Sequence, residues 1–245
     1  MEDARRAAAG DGRGELMLAL LADARLPTGG HTQSAGLEPA LRSGLDPARI
    51  PDYMAARLAT VTRVEAATAV VARHAMLTAG EPGVLLRTWR AWAARTPSPA
   101  LRETSQQLGR GYLRLLRQLW AGHPAVDALD AAARAVGGGG RRGAPPPRPL
   151  VLGVTAACAG LSARQVARLV GYEDVQTVAA ATLKLEPVDP VVATAWVVAA
   201  HGRIEALARD VAGLTDPRAI PAHGAPLVEQ WAETHARTTE RLFSA

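Results

Sequence analysis

The feature that most restricts the fold lies between Pro51 and Gly80, where Met54, Leu58, Val61, Val64, Thr68, Val71 and Ala75 recur at spacings of three and four. Such a stripe lines one face of an α-helix, because 3.6 residues complete a turn, and it breaks the two-residue alternation of a strand. Pro51 suits a first helical turn and Gly80 a helix end, so the segment predicts one long amphipathic helix. A second stripe, Leu101, Ser105, Leu108, Tyr112, Leu115 and Leu119, follows a shorter helix that carries Trp89 and Trp92. Gly109 and Gly111 interrupt it. Each costs about 1 kcal/mol relative to Ala inside a helix, which predicts that another helix packs closely there.

The rest of the chain reads the same way. Its 245 residues include 52 alanines and only nine aromatics, and few β-branched runs, which favours helices over a large sheet. After a flexible leader over residues 1–14, helices are expected over 15–24, 33–44, 150–160, 162–185 (broken near Gly171), 190–213 and 227–241. Residues 213–226 are rich in turn formers. Residues 137–149 read Gly-Gly-Gly-Gly-Arg-Arg-Gly-Ala-Pro-Pro-Pro-Arg-Pro, which admits neither regular helix nor central strand, so they form a loop. The expectation is an all-α chain: a single helical domain over 15–245 with roughly ten helices and this Gly/Pro/Arg-rich loop in mid-chain.

What the chain lacks narrows its chemistry. The longest uncharged stretch, 149–163, is too short to span a bilayer. The N-terminus has no apolar core of a signal peptide, so no membrane association and a cytoplasmic location are expected. One cysteine, Cys158, excludes an intramolecular disulfide and reads as a buried, inert thiol. The only lysine, Lys184, follows Leu183, so there is no phosphate-cradling P-loop. No His-Glu-x-x-His, no Glu-x-x-His and no Gly-x-Ser-x-Gly occurs, and the six histidines are dispersed. His201 and Glu205, four apart, are the one local pair that could serve as acid and base or as metal ligands, against a plainer reading as a solvated polar patch.

Twenty-seven arginines outweigh 23 acidic residues, leaving a net charge of +5. Guanidinium groups fork onto carboxylates, so this surface suits acidic protein partners at least as well as nucleic acid. Residues 161–172 followed by 175–185 have the helix, Gly-containing turn and helix of a helix-turn-helix, which makes a DNA-binding regulator the alternative reading. The second helix, however, offers only Gln176 and Lys184 toward base edges and is otherwise suited to burial.

One loop carries a signature. Leu26-Pro27-Thr28-Gly29-Gly30-His31-Thr32-Gln33-Ser34-Ala35-Gly36-Leu37-Glu38 resembles the Leu-Pro-x-Gly to Ser-x-Gly-Leu-Glu segment of the urease accessory protein UreF family. Three further stretches agree in order and spacing. Residues 102–113, with Gly109 inside, are similar to the family's central Arg, Gly and Leu pattern. Leu183-Lys184-Leu185-Glu186-Pro187 resembles its Lys-x-x-Pro segment, and His235 to Arg241-Leu242-Phe243 resembles its C-terminal His and Arg-Leu-Phe ending. The chain departs from the pattern at His31, where an aromatic is usual, at Arg148, where many members have His, and at Val188-Asp189-Pro190, in place of Leu-Gly-Gln.

The resemblance implies a non-catalytic all-α scaffold that forms a homodimer, binds the accessory protein UreD (also called UreH) and recruits the GTPase UreG. The assembly delivers nickel to apo-urease, with nickel and GTP handled chiefly by the partners and no cofactor held by this chain. Within it, the candidate partner-binding residues are Leu26, Pro27, Gly29, Gly30, His31, Ser34, Gly36, Leu37 and Glu38 of the loop, Lys184, and His235, Arg241, Leu242 and Phe243 near the C-terminus.

Overall fold

The computed structural model describes residues 2–78, 80–138, 143–239 and 242–243, and for residues 2–11 the backbone path alone. Every regular element in it is helical. The α-helices are α1 (Glu2–Leu21), α2 (Leu37–Arg42), α3 (Ile50–Ala59), α4 (Val61–Thr78), α5 (Pro82–Ala94) and α6 (Pro99–Leu119). After these come α7 (Pro124–Val136), α8 (Arg148–Cys158), α9 (Ala163–Leu185), α10 (Pro190–Val211) and α11 (Pro226–Ala236). Three short 3-10 turns connect them, at Gly30–Thr32, Pro47–Arg49 and Pro217–Ala219. No strand occurs among the described residues. The expected all-α single domain is thus what the chain forms.

The helix starts follow from local chemistry. Proline occupies the first turn of α5, α6, α7, α10 and α11, where no intrahelical donor is lost. Ser98 and Asp189 accept backbone N–H groups that α6 and α10 would leave unpaired, and Ser162 forms a reciprocal box with Gln165 at the start of α9. At the centre stands α4, packed against α8, α9 and α5, while α9 also carries α10 and α8 carries α6. Val64, Ala67, Val71, Leu150, Val154, Val170 and Val178 fill the space between them.

Several boundaries differ from the sequence expectation, each for a physical reason. The long helix expected between Pro51 and Gly80 is two helices, α3 and α4, bent at Thr60 with φ −122° and ψ −98°. On a straight helix Arg57 and Thr62 would point roughly 140° apart. The bend instead brings both onto Asp174 of α9. Helix α9 runs unbroken through Gly171, which lies against Ile204 and Leu207 of α10. The turn that a helix-turn-helix requires is therefore absent, and the DNA-binding alternative loses its structural basis.

Other elements shift more modestly. Helix α1 extends back from residue 15 to Glu2 through an Ala- and Arg-rich run of high helix propensity. Helix α7 is an additional element beyond the helices expected from the sequence, and Pro124 with the six alanines after it favours one. The mid-chain loop has no regular structure at 137–138 and 143–147; residues 139–142 lie outside the described residues. The last helix ends at Ala236, short of 241. Helix α10, with His201 and Arg203 inside it, alone among the described helices has the length and hydropathy to cross a membrane, though its inner side belongs to the core.

Candidate functional site

The Leu26 to Glu38 loop lies across α6. A Cβ added to Gly111 would sit 2.4 Å from the Thr28 carbonyl oxygen, so only glycine lets the loop backbone lie this close. Gly109 makes the same allowance for the Pro146 carbonyl, 2.0 Å from its would-be Cβ. The neighbours that these glycines admit are loop backbones, where the sequence suggested a helix. Arg114 adds a hydrogen bond from its guanidinium to the Pro27 carbonyl, at 3.3 Å. The loop then turns through Gly29 and Gly36, both with positive φ. Gly36 is held tightly, because Tyr53 of α3 donates its hydroxyl to the Ala35 carbonyl at 2.7 Å.

Beneath the loop lies a buried ionic network. Arg57 forks onto Asp174, Nε to Oδ2 at 3.0 Å and Nη2 to Oδ1 at 2.6 Å, and Thr62 donates to Oδ2 at 2.9 Å. Burial works against the charge on Asp174, yet Arg57 and these hydrogen bonds outweigh it and hold its pKa below the usual carboxylate value. Arg148, at the start of α8, reaches Glu65 of α4 at 2.6 Å with one nitrogen and Glu173 of α9 at 2.7 Å with another. Ser105 of α6 donates to Glu65 and accepts the Arg148 backbone N–H. Tyr112 donates its hydroxyl to Glu173, and burial followed by the Glu173 charge pushes its own pKa well above normal.

Five helices are thereby tied around three carboxylates and two guanidinium groups. These residues border a cavity of about 390 Å³, which also touches Thr28 and Ser34 of the loop, Trp92 of α5, and Lys184, His235 and Phe243. Arg57, Glu65, Glu173 and Asp174 do not stand out in the sequence, and Tyr112 does so only as one residue of an apolar stripe. The available signal is charge beside an apolar stripe, at Arg57 and Glu65, and the adjacent acidic pair in the middle of α9.

The C-terminal segment meets the loop through one side chain. Glu38, 1% exposed, accepts the backbone N–H of Leu242 at 2.8 Å and of Phe243 at 2.9 Å. Arg42 pairs with the same carboxylate at 2.9 Å, and His235 Nε2 lies 3.7 Å from it. Phe243 is buried, with the Lys184 ammonium 5.0 Å from its ring centroid.

The candidate residues thus divide by exposure. Leu26, Ser34, Leu37, Glu38, His235 and Phe243 are buried; Gly29, Gly30 and Gly36 are half-buried; Pro27, His31, Lys184 and Leu242 face outward. Arg241 lies outside the described residues. The two remaining chemical candidates separate. His201 is exposed, and Glu205 pairs with Arg168 at 2.6 Å rather than with His201. Cys158 Sγ lies 3.6 Å from His123 Nδ1, which already accepts the Ala125 N–H. Burial pushes the thiol up to about 11, so the pair is not a thiolate nucleophile. Among the described residues, no group of three or more His, Cys, Asp or Glu is placed to hold a metal ion.

Comparison with known proteins agrees with the resemblance. The UreF family model matches residues 45–201, beginning after the glycine loop and ending before the C-terminal segment. Relatives match far more of the chain. The urease accessory protein UreF of Mycolicibacterium vanbaalenii is 34% identical over 234 residues, covering 93% of this chain and 97% of its own. Those of Mycobacterium sp. strain JLS and Mycobacterium marinum are 32% and 31% identical, over 93% and 94% of this chain and 97% and 98% of theirs. With the family model matching well over half of the chain, and relatives matching nearly all of it, this chain belongs to the UreF family of urease accessory proteins.

Proposed function

We propose that the chain is a non-catalytic scaffold for urease maturation. It forms a homodimer, binds UreD/UreH, and recruits the GTPase UreG so that nickel reaches apo-urease. Nickel and GTP chemistry belong to the partners, and the chain's own part is recognition. What supports this reading, beyond the family, is the contact made by Glu38. It joins the N-terminal loop to a backbone 204 residues away, bringing together two segments that carry family-like motifs. Around this junction Lys184 and Leu242 stay exposed, as do Pro27 and His31 elsewhere in the loop. Buried residues fix the shape, and exposed ones are left to contact a partner.

Co-purification tests the reading. Tagged chain mixed with UreD and UreG is expected to hold both through washing. Replacing exposed Leu242 and Lys184 by Glu is expected to release them without changing the circular dichroism spectrum. A scaffold that retains neither partner in its wild-type form contradicts the proposal.

A further inference from the structure

Four neutral polar side chains border the 390 Å³ cavity beneath the N-terminal loop and find no hydrogen-bond partner among the described residues: Gln33 of the loop, Trp92 of α5, Thr104 of α6 and Gln176 of α9. Gln33 is only 8% exposed and Trp92 1%. Folded chains satisfy nearly all polar groups buried this deeply, so two of them on one cavity point to something that fills it. The volume lies in the range of small-molecule sites, about 300 to 1,000 Å³.

The charges around the cavity already answer one another. Arg57 pairs with Asp174, and Arg148 with Glu65 and Glu173. Asp23 pairs with Arg25, and Arg95 donates to the carbonyls of Ala91, Arg218 and Ile220. An anion entering here meets three carboxylates and a cation meets two buried guanidinium groups, and either sheds its water without gaining a free counter-charge. Between these pairs the walls are apolar. Leu101 and Leu108 share one side of α6 with Thr104, and Ala180 lies one turn beyond Gln176 on α9.

We infer that this cavity binds an uncharged small organic molecule carrying a carboxamide, or a similar group that both donates and accepts, on an apolar body. The Gln33 carboxamide offers an acceptor oxygen and two donor hydrogens, so a second amide pairs with it head to head. Thr104 and Gln176 offer further donors and acceptors, while Leu101, Leu108 and Ala180 receive the apolar part. The site belongs to this chain alone and does not depend on the capture of partner proteins.

Benzamide serves as the probe, with benzoate and benzylammonium as charged counterparts of nearly the same shape. The full chain, labelled with nitrogen-15, is titrated with each while the indole N–H resonances of its five tryptophans are followed, that of Trp92 being identified with Trp92→Phe. Benzamide is expected to shift the Trp92 resonance saturably, and the charged counterparts to need at least about 10-fold higher concentrations. Gln33→Leu removes the amide at nearly constant volume and is expected to weaken benzamide at least about 10-fold. Its circular dichroism stays unchanged and its melting temperature does not fall, because no hydrogen bond of the folded chain is lost. Thr104→Phe, which fills the cavity from half-buried α6, is expected to abolish the shift as well. A Trp92 resonance that benzamide leaves in place up to its solubility limit marks a cavity holding water only. That result, equal binding of the charged counterparts, or undiminished binding by Gln33→Leu and Thr104→Phe would each overturn the assignment. Co-purification with UreD and UreG is scored separately, so an empty cavity leaves the scaffold reading intact and a failed scaffold leaves the binding site intact.

Discussion

Replacing Asp174 by Asn probes the buried network most sharply. The substitution keeps the side-chain volume, so it opens no cavity, but it removes the charge that faces Arg57. Asp174 is 7% exposed and Arg57 6%, so the guanidinium cannot turn to water. Breaking one side of a buried ion pair costs about 3 to 5 kcal/mol. For a chain of this size, each kcal/mol lowers the melting temperature by about 2 to 4 °C, giving a drop of roughly 6 to 20 °C. A double replacement, Arg57→Met with Asp174→Leu, leaves no stranded charge and is expected to cost less than either single change. The effect also depends on pH. Because the folded-state pKa of Asp174 is depressed, its contribution is complete above the unfolded carboxylate value and disappears as pH falls through the folded one. The gap between wild type and Asp174→Asn should therefore narrow as the medium is acidified below pH of about 4. Urea unfolding at neutral and acidic pH measures all of this. A loss below about 1 kcal/mol at neutral pH, or a gap that widens in acid, would refute the reasoning.

Gly111→Ala places a Cβ against the Thr28 backbone and is expected to cost about 1 to 3 kcal/mol, with weaker capture of UreD in a pull-down. Gly30→Ala meets nothing within 4 Å and has no positive φ, so its melting temperature should stay at the wild-type value. Deleting residues 241–245 removes buried Phe243, worth roughly 1.5 to 3 kcal/mol; circular dichroism should be nearly unchanged while complex formation with UreD and UreG is lost. Cys158, with its thiol pushed up to about 11, should alkylate at neutral pH at least about 100-fold more slowly than a free cysteine.

Much of the fold could be read from periodicity because helix and burial share one period. The stripe from Leu101 to Leu119 became α6, and the segments around Trp89, Leu150 and Val197 became α5, α8 and α10. Periodicity failed where tertiary contacts override it. The bend at Thr60 leaves the apolar spacing almost intact, so only the convergence of Arg57 and Thr62 on Asp174 explains it. Gly171 was expected to break α9, but a glycine inside a helix equally admits a neighbour, here Ile204. The ionic network was hidden because its partners are far apart in sequence, 117 residues between Arg57 and Asp174. The loop and the C-terminal segment were legible through family likeness, while their contact through Glu38 needed the folded chain.

Reconstituted urease activation tests the scaffold role most directly. Apo-urease is incubated with nickel, GTP, UreD and UreG, with and without this chain, and urea hydrolysis is followed. The scaffold reading predicts that activation depends on the chain and is abolished when the 241–245 deletion replaces it, although the deleted chain remains helical. Equal activation without the chain, or full activation by the deleted form, would contradict it.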